Sequence, residues 1–215
     1  MKQHRRKSAG FTMIESLIVL VILGVVVIGI VPAFLTAINR ARMTTTAQAI
    51  SALMYSARLE AIKRGTQGSV TAAATTGING RVEIDYATRT ATAYVDLDGE
   101  QTLSAGDVKL GAVTLGKDLE FHGPGPMATP NAGAVWSFAS LPSGGGVAVF
   151  KSDGSVATLG AFRIRDARGN ILEIRCEPQA TAKVSVQKFT GDPEGADAPT
   201  DTTKWIRQDQ GWSWN

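Results

Sequence analysis

GFTMIESLIVLVILGVVVIGIVPAFLTAIN, residues 10–39, is a long apolar stretch near the start of the 215-residue chain. It contains no charged side chain between Glu15 and its end at Asn39. At a rise of about 1.5 Å per residue, a helix over residues 16–39 is long enough to cross a hydrocarbon core of roughly 30 Å. The stretch therefore predicts one membrane-spanning helix, with the rest of the chain attached behind it.

A short basic segment precedes the apolar stretch. Residues 1–10 carry Lys2, Arg5, Arg6 and Lys7 and no acidic residue. These four side chains more than account for the net charge of +3, so the charge of the chain does not indicate nucleic-acid binding. Basic residues beside a membrane span stay on the cytoplasmic side. We therefore expect the C-terminal part of the chain on the opposite side.

Two simpler interpretations fit the basic and apolar segments alone: a cleaved secretory signal peptide and a plain signal anchor. The length of the apolar stretch opposes a signal peptide, as does its end in Ala-Ile-Asn-Arg-Ala-Arg rather than in small residues. Neither interpretation explains Glu15, because a carboxylate at the threshold of an apolar helix is unfavourable unless it is paired. Glu15 is therefore a candidate functional residue.

Residues 10–15, Gly-Phe-Thr-Met-Ile-Glu, resemble the prepilin peptidase site of type IV pilins and type II secretion pseudopilins. The resemblance implies cleavage between Gly10 and Phe11, followed by N-methylation of the new N-terminal Phe11. It also implies that Glu15 acts in assembly, where the freed amine of a neighbouring subunit neutralises it. Pro32 matches a proline that such proteins carry midway along the anchor, where the loss of one helix hydrogen bond permits a kink.

Composition divides the chain into five segments. These are the leader (1–10), the transmembrane and assembly helix (11–39), an amphipathic continuation of that helix (40–65), a β-rich domain (66–190), and an acidic, Pro-rich stretch with a Trp-rich tail (191–215). Within the β-rich domain, alternating or apolar runs predict strands at 81–86, 91–95, 135–139, 147–150, 156–159, 162–165 and 171–176. We therefore expect an α+β fold, a long N-terminal helix packed on an antiparallel sheet.

Two further segments resemble the GspH/FimT group of minor pseudopilins and minor pilins: SALMYSARLEAIKRG (51–65) and the strand-rich segment 147–186. Where group members carry a Gly-Arg-hydrophobic step, this chain has Ala-Lys-Val at 182–184. The resemblance implies a subunit at or near the tip of a type II secretion pseudopilus or a type IV pilus, with its β-rich domain in the periplasm of a bacterium. The implied partners are the prepilin peptidase, other pseudopilins or pilins, and an inner-membrane assembly platform.

The segment DLDGEQTLSAGD (96–107) resembles a calcium-binding loop. Side-chain oxygens recur at positions 1, 3, 5, 9 and 12 of the segment, the pattern that suits a hard cation. The candidate ligands are Asp96, Asp98, Glu100, Ser104 and Asp107. Gln101 stands where such loops carry a glycine, so a solvated hairpin loop is the favoured interpretation. The sequence indicates no other cofactor.

A possible basic stripe lies on the polar phase of the last predicted strands. Its members are Arg163, Arg165, Arg175 and Lys183. Some FimT-type minor pilins bind DNA, so these four residues are candidate DNA contacts. Because Asp166 and Glu173 lie among them, cross-strand ion pairing on a solvated sheet face is the favoured alternative. A surface-binding tip protein and an anchored domain outside any fibre are the competing function classes.

The sequence indicates no enzyme. His122, the one histidine beyond the leader, lies beside a Gly-Pro loop, and Cys176 falls on the apolar phase of a predicted strand, as a core residue does. Trp205, Trp212 and Trp214 cluster near the C-terminus. We expect them to pin the tail onto the sheet, with Trp212 and Trp214 on one strand face; a contact with another pilin or a carbohydrate is the alternative.

Overall fold

The computed structural model describes residues 12–66, 78–121, 138–140, 145–191, 204–212 and 214. The chain separates into two units, residues 1–40 and residues 41–215, called here the first and second units. One helix, α1 (Met13–Thr66), begins in the first unit and ends in the second. The strands are β1 (Asn79–Asp85), β2 (Thr90–Asp96), β3 (Val108–Thr114), β4 (Leu119–Phe121), β5 (Ala139–Ser140), β6 (Gly146–Phe150), β7 (Gly160–Asp166), β8 (Ile171–Cys176), β9 (Val184–Phe189) and β10 (Trp205–Arg207).

The described part of the first unit is the N-terminal part of α1. Its large apolar side chains, from Met13 to Leu35, are between 45% and 89% exposed. An 18-residue window of the helix has a mean hydropathy of 3.2, and none of it is buried within the protein. Soluble proteins rarely expose so large a continuous apolar surface, and this is one helix long and apolar enough to span a bilayer.

In the second unit, α1 packs against the sheets through one stripe of side chains. Met43, Ala47, Ile50, Met54, Ala57 and Ala61 are all fully buried. Their spacing of three or four residues places them on one face of the helix. They share a single apolar core with residues of both sheets, including Val82, Phe150, Ile164 and Leu172. Burying a large apolar side chain contributes roughly 1.5–3 kcal/mol, so this stripe is what holds the helix in place.

The first sheet has the strand order β3-β2-β1-β6-β5, and its described pairs are antiparallel. Strand β1 lies under α1 at Gly80, where an added Cβ would overlap the main-chain carbonyl of Ala57. Glycine therefore allows the helix and the strand to approach closely. The side chains of Val82 and Ile84 enter the core from the same face of β1.

The second sheet has the order β10-β9-β8-β7-β4 and is also antiparallel. Phe162, Leu172 and Ile174 face the shared core, and Cys176 joins them as a fully buried side chain. Burial raises the pKa of the Cys176 thiol to about 11, so it stays protonated at neutral pH. The expected core position of Cys176 is confirmed.

The predicted α+β fold is confirmed, but the strands differ from the prediction in three ways. Strands β3, β4, β9 and β10 are not among the strands predicted from the sequence, and two sheets replace the single expected one. The prediction of a strand at 156–159 was wrong: Val156 forms one isolated bridge with Phe150, and its amide then donates to the carbonyl of Gln179. Residues 135–137 of another predicted strand lie outside the described residues.

Candidate functional site

The first turn of α1 is held by a reciprocal pair of side chains. The backbone amide of Thr12 donates to Glu15 Oε2 at 3.0 Å, and the amide of Glu15 donates to Thr12 Oγ1 at 3.3 Å. The Thr12 hydroxyl also donates to Glu15 Oε2 at 3.0 Å. This arrangement is a capping box, in which each side chain satisfies an amide that the helix leaves without a partner. The signal for it, Thr-x-x-Glu, was present in the sequence but was not interpreted as a cap.

The capping box places the candidate assembly residue Glu15 in the first turn of the helix. Its carboxylate is exposed and lies at the positive end of the helix dipole. Gly10 and Phe11, the predicted cleavage and methylation residues, lie outside the described residues. In the sequence, only Phe11 separates the predicted scissile bond from the cap at Thr12. The helix therefore begins directly behind the predicted cleavage site.

Pro32 lies inside α1, which remains helical on both sides of it. Proline has no N–H to donate to the preceding turn, so one helix hydrogen bond is missing there. The hydroxyl of Thr36 donates to the carbonyl of Pro32 at 2.9 Å. Pro32 therefore removes one hydrogen bond from α1 without ending the helix.

The candidate calcium loop brings three of its carboxylates together. One oxygen each of Asp96, Asp98 and Asp107 lies within 4.8 Å of the others. The hydroxyl of Ser104 donates to Asp98 Oδ2 at 2.8 Å, so Ser104 joins the cluster through a hydrogen bond. Glu100 is exposed and contributes its backbone amide, which donates to Asp98 Oδ1 at 3.1 Å. Four of the five candidate ligands therefore converge through their side chains.

Hydrogen-bond donors within and beside the loop already bind several of its carboxylate oxygens. Asp96 is buried and accepts from the amides of Gly99 at 2.7 Å and Gln101 at 3.2 Å, while Arg81 donates to it at 3.3 Å. Gln101 adopts the left-handed conformation at φ 65°, the turn for which calcium loops use glycine. The Ser104 hydroxyl holds the pKa of Asp98 below its usual value. Calcium binding here stays a prediction, which titration of the protein with Ca²⁺ would test.

The candidate basic stripe does not form a continuous exposed surface. Arg163 and Arg175 are buried, and each donates from Nε to the fully buried Glu173, at 2.7 Å and 2.6 Å. Arg175 also lies 3.9 Å from Glu177, which accepts from Arg207 at 3.1 Å. The expected pairing with Glu173 is therefore present, but the expectation of a solvated face was wrong, because the pairs are shielded from water.

The other two candidate DNA contacts have different surroundings. Arg165 is half-buried on β7, where it lies opposite Glu120 and Ile171 of the neighbouring strands. Lys183 is exposed ahead of β9. Asp166 caps the following turn and accepts from the amides of Arg168 and Asn170. DNA binding stays a prediction that the burial of Arg163 and Arg175 does not favour.

The tryptophan-rich tail packs on the second sheet. Trp205 belongs to β10, is 8% exposed, and lies 5.1 Å from the ring of Phe189 and 5.3 Å from the guanidinium of Arg163. Trp212 and Trp214 pack against the shared core with ring centroids 6.4 Å apart. The expectation that they occupy a strand was wrong, because β10 ends at Arg207 and a 3-10 turn follows.

Comparison with known proteins identifies one element of this architecture. Residues 5–31 match the family model of the prokaryotic N-terminal methylation motif. No curated protein and no solved structure matches the chain. The matched segment contains the predicted cleavage bond, the Thr12–Glu15 cap and most of the apolar run. It supports a type IV pilin-like protein that prepilin peptidase processes, a structural class rather than an enzymatic one.

Proposed function

We propose that the protein is a minor pilin or pseudopilin of the GspH/FimT type. In this role it is a structural subunit of a type II secretion pseudopilus or a type IV pilus and supports protein secretion. The observation that carries the proposal is the methylation motif at residues 5–31, which continues through α1 into an α+β unit. The resemblance of residues 51–65 and 147–186 to the group supports the finer assignment.

Processing begins with the chain in the inner membrane. The basic leader stays in the cytoplasm, and the second unit lies in the periplasm. Prepilin peptidase cleaves after Gly10, and Phe11 becomes the methylated N-terminus. Because Thr12 and Glu15 cap the helix from behind the cleaved bond, the first turn of α1 keeps its hydrogen bonds when the leader is removed.

Assembly uses the carboxylate of Glu15. In a bilayer or in an apolar fibre core this carboxylate is not solvated by water, so its negative charge is unfavourable unless a cation pairs with it. The freed amine at Phe11 of a neighbouring subunit supplies that partner and aligns the two helices. The exposed apolar side chains of the first unit then exchange contacts with lipid for contacts with other anchors.

The second unit provides the contacts outside the membrane. At or near the fibre tip it initiates assembly with other pseudopilins or pilins on the inner-membrane platform. Its function is structural, and the buried thiol of Cys176 has no catalytic part in it.

Replacement of Glu15 by glutamine tests the assembly step. We expect the variant to be processed normally, by intact mass, but to be depleted from sheared fibres, because a neutral side chain attracts no amine. The matched control is Glu120→Gln, which removes an exposed carboxylate from β4 and should leave fibre entry unchanged. Fibre entry of Glu15→Gln at the level of the unchanged protein would contradict the proposal.

A further inference from the structure

The turn between β3 and β4 lies beside the part of α1 that follows the apolar run, and the turn between β1 and β2 contacts the β3–β4 turn. Arg42 Nη1 lies 3.8 Å from Asp118 Oδ2, in the turn between β3 and β4. In the same region the carbonyl of Lys117 accepts from Arg89 Nη1 at 3.4 Å, and the carbonyl of Arg89 accepts from the amide of Leu115 at 2.8 Å. Arg42, Arg89 and Lys117, which come from separate parts of the sequence, are thus neighbouring residues in the second unit.

Arg42 lies three residues beyond the end of the apolar run. The apolar run ends at Asn39, and Arg42 follows in the same helix, about 4.5 Å further along its axis. The polar region on each side of the hydrocarbon core is roughly 5–7 Å thick. An anchor whose span ends at Asn39 would place Arg42 among the lipid headgroups, and the ion pair of Arg42 with Asp118 ties the β3–β4 turn to Arg42.

We propose that Arg42, Arg89 and Lys117 form a docking surface for the headgroups of anionic phospholipids. Arg42 and Lys117 are exposed and Arg89 is half-buried, so their charged ends can reach phosphate oxygens. Guanidinium groups bind phosphate through paired N–H donors, and an ammonium binds it as a point charge. The surface would hold the second unit on the bilayer in one orientation until the subunit enters a fibre.

The carboxylates beside the surface do not cancel its charge. Asp118 is the partner of Arg42, with both side chains more than 60% exposed, so the pair is readily opened by a competing phosphate. Asp85 lies at the start of the turn between β1 and β2. Its carboxylate accepts hydrogen bonds from the Thr88 hydroxyl at 2.8 Å and from the amide of Ala87 at 2.8 Å, both within that turn. Three cations against these two carboxylates leave one net positive charge for the lipid.

The backbone of Arg89 is a separate observation that points to the same function. Arg89 adopts the left-handed conformation at φ 54°, which glycine or asparagine would occupy at lower cost. Placing a long cation at this position sacrifices stability for charge. The docking surface accounts for that choice, because the turn presents the guanidinium next to Lys117.

The inference rests on the membrane anchor of the proposed function but not on fibre assembly. The test uses the full chain in lipid nanodiscs, so anchoring is established by co-purification with the disc before docking is measured. Gly116→Cys places a fluorescent label in the β3–β4 turn, where an added Cβ meets no atom within 4 Å. Cys176 is fully buried and does not compete for the label. Leu59→Cys, 17 residues beyond Arg42 on α1, is the distant control position.

The measurement is quenching of the label by headgroup spin-labelled lipid. We expect stronger quenching at position 116 in discs that contain phosphatidylglycerol than in phosphatidylcholine discs, and no such difference at position 59. Each neutralised cation should shift docking by about fivefold, so Arg42→Gln, Arg89→Gln and Lys117→Gln together should abolish the difference. Neutralising three exposed lysines elsewhere, Lys63, Lys151 and Lys183, should preserve it.

Two single variants should change the quenching in opposite directions. Asp118→Asn frees Arg42 and should increase quenching in the anionic discs, whereas Arg89→Gly should decrease it while raising thermal stability, because the strained backbone is relieved. Equal quenching in both lipids, or an equal loss from the distant lysine variant, would overturn the inference. Either result would leave fibre entry, which is measured separately, unaffected.

Discussion

Replacing Glu173 by glutamine is expected to destabilise the second unit by about 3–5 kcal/mol. The side chain is fully buried and accepts from Arg163 Nε at 2.7 Å and from Arg175 Nε at 2.6 Å. Glutamine keeps the volume but removes the charge, which leaves two buried guanidinium groups without their carboxylate. Since a domain of this kind is stable by only about 5–15 kcal/mol, the loss is a large part of the total.

Urea unfolding of a fragment that begins at Ala41 measures this loss. The fragment retains every side chain of the shared core. Far-ultraviolet circular dichroism is the preferred signal, because Trp205 lies 5.3 Å from Arg163 and its fluorescence would respond to the substitution directly. We expect a lower midpoint with an unchanged m-value, the sign of altered stability without altered compactness.

Two controls separate charge burial from general damage to the sheet. Glu120→Gln removes an exposed carboxylate of β4 and should change stability by less than about 0.5 kcal/mol. Replacing Arg163, Glu173 and Arg175 together by apolar residues of similar volume should recover much of the loss, because no charge then stays buried. A cost below about 1 kcal/mol for Glu173→Gln would refute the reasoning, since it would mean that water reaches the two arginines.

Two further predictions concern the first sheet and its turns. Gly80→Ala should destabilise the second unit by roughly 1–3 kcal/mol or more in the same urea assay, because the added Cβ meets the rigid carbonyl of Ala57. The control Gly111→Ala should cost less, because its Cβ meets only the side chain of Leu53. Equal costs for the two variants would contradict the close approach of α1 and β1. Asp85→Asn should weaken the acid dependence of stability: the Thr88 hydroxyl holds the pKa of Asp85 below its ordinary 3.8, so its contribution is complete above that value and is lost as the pH falls through the folded pKa. An unchanged slope of stability against pH below 4 in Asp85→Asn would count against this cap.

The long helix and the first hairpin could be predicted from the sequence because each has a strong local signal. The apolar run to Asn39 exceeds what a soluble core needs, and the buried stripe from Met43 to Ala61 repeats at helical spacing. Strand β1 alternates apolar and charged residues. Strand β3 was missed because it is an edge strand of partly exposed residues, with Lys109 and Gly111 interrupting its apolar pattern.

The candidate sites were less predictable, because their character depends on tertiary partners. Alternation on β7 and β8 correctly separates Arg163, Glu173 and Arg175 from the core face, but a buried ionic network and a solvated face have the same period of two. Only the observed burial distinguishes them. In contrast, the Thr12–Glu15 cap depends on residues three apart in one turn and was available from the sequence itself.

The central claim is that the leader is removed behind Gly10, so that the helix capped by Thr12 and Glu15 becomes the N-terminus of a fibre subunit. Intact-mass and N-terminal peptide analysis of the protein from its native membrane tests this claim directly. We expect a chain that begins at N-methylated Phe11 and lacks the ten leader residues, and a Gly10→Val variant that keeps its full mass. Native protein that retains Met1 through Gly10 would contradict the account.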